Sequence, residues 1–319
     1  MRDWRKYTKR AGILRKRVFL GVVQKRSELI YERNDNMNEK RTILAVLAHP
    51  DDESFGMGGT LALYASRGAD VYLACATRGE AGTVDDEHLK GFTTIAELRE
   101  GELRCAAGHL GLKDVFFLGY RDSGMPGMVD NQHPDAQINH PIEEVAAKVV
   151  RHIRELKPDV VLTFDPIGGY RHPDHIHIHN ATVLAFEKAA DASYHPEAGA
   201  PYQPSALYYH TIPRGLFKFG VRLLRLFGKD PRKWGRNGDI DLVSLAEVDF
   251  PVHARIDYKS VTGRKEQASA CHASQGGGQM RRGFVGTFFR MFDGIETFMR
   301  AYPPVGPEFH AKKDLFDLN

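Results

Sequence analysis

From residue 42 onward, short apolar runs alternate with longer stretches in which apolar side chains recur every third or fourth position. Six runs read as strands: Ile43 to Ala48, Val71 to Thr77, Val115 to Leu118, Val160 to Phe164, Ala206 to Ile212 and Glu247 to Ile256. The unbroken apolar character of Ile43 to Leu47 is that of a strand buried on both faces of a parallel sheet. Helical spacing marks Gly58 to Arg67, Ile95 to Leu110, Ile142 to Leu156, His175 to Ala190, Tyr258 to Ala273 and Phe288 to Tyr302. Strands alternating with amphipathic helices predict an α/β fold with a mostly parallel sheet. The stretch Gly119 to Pro141, rich in Gly, Pro, Asp and Asn, is too long for a plain connection and is expected to be a functional flap.

Composition adds bounds. The chain has 319 residues, 42% of them hydrophobic, enough for one large core. Its net charge of +3 hides an asymmetry: residues 1–36 carry 11 Lys/Arg against 4 Asp/Glu, and the remainder is net negative. The first domain boundary is therefore expected between a basic extension, 1–36, and a body, 37–319. Met37 would be a natural start for a protein whose first strand opens at 42 or 43, so the extension reads either as an upstream over-extension or as a basic surface anchor for anionic lipid or nucleic acid. Cys75, Cys105 and Cys271 are odd in number and form no CxxC pair, which argues against a disulfide framework or thiolate zinc site and for a reducing cytoplasm. No apolar run approaches the roughly 20 residues that span a bilayer, and the run Val18 to Val23 lacks a signal-peptide cleavage site.

Two loops carry the chemistry. His49-Pro-Asp-Asp-Glu53 follows the first strand, and Asp165 to His179, which contains His172-Pro-Asp-His175, follows Val160 to Phe164. Open α/β sheets place ligands at the carboxyl ends of their strands. Taken singly, the acids could serve a helix N-terminus and the histidines could be buried structural groups. Two strand ends each bearing H-P-D leave a better reading, in which His49, Asp52 and His175 converge on one divalent ion with an open coordination position. His177 and His179 read as part of the following helix.

These two motifs resemble the signatures of the LmbE-like, or PIG-L, zinc-dependent deacetylases, which remove acetyl from N-acetylglucosamine units. Thr77-Arg-Gly-Glu80-Ala-Gly82, Gly119-Tyr-Arg-Asp-Ser-Gly-Met125 and Ala270-Cys-His272-Ala-Ser-Gln275 resemble further family segments, so the likeness runs from 42 to about 300. Gly119 to Met125 and the chain length are most similar to the sugar deacetylases of thiol-cofactor biosynthesis. The resemblance implies a Rossmann-like sheet with helices on both faces and one Zn2+ per chain on His49, Asp52 and His175, with iron or cobalt as substitutes. It further implies Asp51 as general base, His172 as oxyanion partner, Asp174 orienting a histidine, and Tyr170 polarising the carbonyl or protonating the leaving amine. Glu80, Arg99 and Asp122 would meet sugar hydroxyls, although Arg99 and Glu80 also read as ordinary surface charges. A positioned base supplies roughly 10²- to 10⁴-fold, so a metal that acidifies water and polarises the amide is needed as well.

One departure is Arg214 to Arg236, with 8 basic residues and one acid, in which Lys218, Arg222, Arg225 and Lys229 share a helical face. It reads as a membrane-surface or lid helix, or as a packed helix with a solvated basic face. The expected partners are a small amino-sugar glycoside, an anionic membrane touched through 214–236 or 1–33, and a second copy in a homo-oligomer; no specific nucleic acid is expected. The rival functions are a zinc amidase acting on another acyl amide or thiol conjugate, and a non-catalytic, membrane-peripheral sugar-binding module.

Overall fold

The computed structural model describes residues 40–235, 238–278, 294–306 and 309–319. Residues 41–319 form one compact unit; the expectations for 1–36 lie outside the described residues. Seven strands make one sheet in the order β3-β2-β1-β4-β5-β7-β6. They are β1 Thr42–Leu47, β2 Asp70–Cys75, β3 Asp114–Phe117, β4 Val160–Phe164, β5 Ala206–Thr211, β6 Ala254–Asp257 and β7 Ile295–Tyr302. The first five are mutually parallel, with Ala45 of β1 level with Leu73 on one side and Leu162 on the other. β7 runs antiparallel to both β5 and β6.

Among the described residues, six helices of nine residues or more accompany them: α1 Gly58–Ser66, α2 Ile95–Leu110, α3 Ile142–Leu156, α4 Pro173–Lys188, α5 Arg214–Leu226 and α6 Thr262–Cys271. α1, α2 and α6 pack together, and α3 packs with α4; right-handed crossovers place the two groups on opposite faces of the sheet. β1 lies between β2 and β4, so the direction of winding reverses there. That reversal opens a crevice between the loops after β1 and β4, where ligands bind in folds of this kind. Among the described residues no helix is long and apolar enough to cross a membrane.

Local chemistry sets the helix ends. Thr94 caps α2 by accepting from the Glu97 amide at 3.1 Å, and Gly111 closes it in the left-handed region. Pro173 opens α4, earlier than the predicted His175, because a proline at the first helical position loses no hydrogen bond.

Three expectations need correction. The helix predicted over Phe288 to Tyr302 is a strand from Ile295 on, and 288–293 lie outside the described residues. Gly294, at φ +111°, breaks the helical path, and Glu296, Phe298 and Arg300 turn inward along β7. The strand predicted over Glu247 to Ile256 shrinks to Ala254–Asp257, since Pro251 cannot donate to a ladder. Finally, Cys105 and Cys271, expected as free thiols, form a disulfide across α2 and α6, which pack with those positions 5.9 Å apart at Cα; Cys75 alone is free, and buried.

Candidate metal and catalytic site

The β1 loop delivers His49 and Asp52 while the β4 loop delivers His175 at the start of α4. Across the crevice His49 Nδ1 and His175 Nε2 stand 3.1 Å apart. The Asp52 carboxylate completes the triangle, 3.3 Å from His175 Nε2 and 3.6 Å from His49 Nδ1. Tetrahedral arms of about 2.0–2.1 Å put neighbouring donors about 3.3 Å apart, so the three fit a zinc-sized ion.

The remaining ring nitrogens are held from behind. His49 Nε2 lies 3.1 Å from Asp174 Oδ2 and 3.3 Å from Asp122 Oδ1. His175 Nδ1 lies 3.2 Å from the Gly168 carbonyl, and Phe164 stacks on the same ring at 3.9 Å. Held from behind in this way, the inner Nδ1 of His49 and Nε2 of His175 face the centre, as in metal-ligating histidines. Burial would lower His49, but Asp122, Asp174 and Asp52 raise it well above its ordinary value, so an ion bound there would displace a proton from the ring. Gly168 must be glycine: its φ is +64° and a Cβ would come within 2.7 Å of His175 Cβ.

Burial and neighbours set the charges. Burial alone would raise Asp52, but the His175 and His49 imidazoles beside it hold it well below the usual carboxylate range. His175 is pushed down to about 4 by burial, so it stays neutral. Burial also pushes Asp51 up to about 7 against the pull of Arg99. His172 is lowered by burial and by the other imidazoles; its Nδ1 accepts the Asp174 amide at 3.2 Å, which leaves the proton on Nε2. Its ring centroid is 4.5 Å from that of His49 and 4.9 Å from that of His175. Tyr170 packs edge-on to His175 at 5.0 Å.

Asp174 is fully buried and accepts from the Ser123 amide at 2.8 Å, tying the long 119–141 loop to the site. That loop is braced internally by Asn131, whose side chain donates to the Ser123 carbonyl, and by the Arg121–Asp130 pair at 2.8 Å.

Two of the residues expected to meet sugar, Arg99 and Asp122, are buried beside the loop that follows β1. Arg99 is buried and donates to the carbonyls of Pro50 and Gly79 at 2.6 and 3.0 Å and to Asp51 Oδ2 at 3.0 Å, so it is not a surface charge but clamps the loop that follows β1. A Cβ at Gly79 would stand 2.0 Å from that guanidinium. Asp122 is buried behind His49. Glu80 accepts from the Asp122 amide at 3.0 Å and borders a polar cleft of about 330 Å³ with Arg78 and Arg121. His179 and His177 lie within α4, bonded to the carbonyls of Phe164 and His140.

Sequence reasoning gave no role to the buried Glu53–His272 pair. His272 Nε2 lies 2.7 Å from Glu53 Oε1, while Glu53 Oε2 accepts the Asp51 amide at 3.0 Å. Burial would lower His272, but Glu53 raises it instead. The ACHASQ segment carrying His272 was the available signal.

A family model described as PIG-L, GlcNAc-PI de-N-acetylase, matches residues 44–186. The chain is 37% identical over 248 residues to the 1D-myo-inositol 2-acetamido-2-deoxy-alpha-D-glucopyranoside deacetylase of Geodermatophilus obscurus, covering 75% of this chain and 84% of that protein. The protein of the same name from Streptomyces scabiei is 38% identical, with 73% and 76% covered. Among solved structures, the fold is similar to N,N'-diacetylchitobiose deacetylase of Pyrococcus horikoshii, with TM-score 0.56, 18% identity and 82% and 84% of the two chains covered. It is also similar to the 4-carboxy-2-hydroxymuconate hydratase of Pseudomonas putida, with TM-score 0.54, 20% identity and 85% and 100% covered.

Proposed function

This chain belongs to the LmbE-like, or PIG-L, family of deacetylases, and from that premise we propose that it hydrolyses the N-acetyl amide of an N-acetylglucosamine glycoside, releasing acetate and a free amine. The observation that carries the reading is the convergence of His49, Asp52 and His175 within 3.1–3.6 Å, next in the chain to Asp51, whose Oδ2 is held by Arg99. Since relatives that are 37–38% identical are named for an inositol glycoside, that compound is the first substrate to test.

His49, Asp52 and His175 would hold the ion, zinc by the donor set. When bound, it supplies Lewis acidity toward the acetyl carbonyl and makes water more acidic. Asp51 is the base that takes the water proton. The Nε2–H of His172 donates to the carbonyl oxygen as charge develops there. Tyr170, at the wall of the site, aids the carbonyl or returns a proton to the departing amine. Asp174 and Asp122 orient His49, and Glu80 in the polar cleft offers an acceptor to sugar hydroxyls.

The test is acetate release by zinc-loaded protein on free N-acetylglucosamine, its inositol and malate glycosides, diacetylchitobiose and a lipid-linked form, with Asp51→Asn as control. Acetate from one glycoside, abolished by the substitution, supports the proposal and names the aglycone. Silence on every sugar from protein holding one zinc per chain overturns it in favour of an amidase for another acyl group.

A further inference from the structure

The surface of α5 stands apart from the rest of the molecule. Its inner side packs Phe217, Val221 and Leu224 onto Leu242, Leu245 and Ala246, in a small apolar cluster separate from the main core. Ile167 and Tyr170 of the site loop join that cluster, so α5 is the outer wall of the site. Its other side carries Lys218, Arg222 and Arg225, followed by Lys229, all exposed. No ion pair among the described residues engages Lys218, Arg222 or Arg225. Between 214 and 235 seven basic residues face a single acid, Asp230, which caps the Arg232 amide.

Charge alone would be an ordinary solvated face. The apolar side chains beside it change the reading. Leu226 and Phe227, at the end of the helix, are 79% and 64% exposed, and Trp234 is 37% exposed. A helix about 20 Å long that ends in protruding Leu-Phe and is lined with cations matches one kind of surface. Its cations meet anionic headgroups while the apolar side chains enter the acyl boundary. We propose that this face of α5 seats the protein on an anionic lipid bilayer, with the wall of the site next to the membrane. The inference is independent of which amide is hydrolysed.

The experiment is flotation of the full chain with vesicles of phosphatidylcholine, alone or with one third phosphatidylglycerol, at low and high salt. Binding is expected only to the anionic vesicles and only at low salt. Reversing two cations in Arg222→Glu/Arg225→Glu should lower the bound fraction at least about tenfold. Leu226→Ser/Phe227→Ser should weaken it while its circular dichroism and melting temperature match those of the parent, which shows that the variant folds. Residues 1–36 are basic too, so a reporter local to this face is needed. The chain has two tryptophans, and in Trp4→Phe the emission comes from Trp234 alone. A blue shift of that emission on anionic vesicles is expected. Unchanged flotation of Arg222→Glu/Arg225→Glu, flotation with no Trp234 shift, no flotation at all, or preferential binding of a polynucleotide over vesicles would each overturn the proposal.

Discussion

Asp51 holds φ at +126°, a backbone conformation that costs an ordinary L residue about 1–3 kcal/mol. Three contacts from two neighbours impose it: Glu53 accepts its amide, Arg99 binds its carboxylate, and the same guanidinium holds the preceding carbonyl. Asn tolerates positive φ better than most residues, so Asp51→Asn isolates the lost base from any backbone change. It should retain the metal, read by elemental analysis, and lose about 10²- to 10⁴-fold in turnover. His175→Ala should lose metal and turnover together. Another prediction concerns His210 on β5, which burial pushes down to about 4. The unfolded chain takes up that proton near pH 6.5, so in the window between the two values the unfolded state binds more protons. Stability is complete above the window and falls as pH drops through it. Melting curves of His210→Gln should fall less steeply between pH 7 and 4 than those of the parent. Of the site, the residues named by the two H-P-D motifs were legible. The supports were not, because Arg99 reaches Gly79 from 20 positions away and His272 reaches Glu53 from 219, which local spacing does not record.

Among the elements, the parallel strands were plain because continuous apolar runs have no other use in a chain this polar. β7 was not. Its sequence IETFMRAY places apolar residues at helical intervals, and the polar residues that turn inward are satisfied only by other elements. Glu296 is the clearest case. It accepts the Gly59 and Thr60 amides at the start of α1, at 2.9 and 2.7 Å, and the Lys265 ammonium of α6 at 2.6 Å. One buried carboxylate thus fastens a strand to two helices and favours the N-terminus of α1. Lys265→Met should cost about 3–5 kcal/mol in denaturant unfolding, since it leaves that carboxylate buried without its cation. A loss under about 1 kcal/mol would mean that the pair is solvated in practice.

For the whole molecule, strand order decides where the site falls: the winding reverses at β1, and both motif loops leave the sheet on either side of that point. Reading the runs in order predicted a mostly parallel sheet with both motif loops at strand ends, but not the order of its strands. Nor did it predict the covalent link between α2 and α6, because cysteines 166 positions apart carry no spacing signal. Closing so long a loop stabilises by about 2–4 kcal/mol in a typical protein, so a reductant should lower the melting temperature, and Cys105→Ser should abolish the difference. An identical melting temperature with and without reductant would mean that the thiols are unpaired in solution. The small apolar cluster under α5 has a consequence of another kind. Few buried contacts tie it to the main core, so its opening costs less than global unfolding. In hydrogen exchange the α5 amides should trade protons for deuterons well before those of α3. Because Tyr170 belongs to that cluster, each such opening also loosens one side of the crevice, so substrate admission and local melting share a clock.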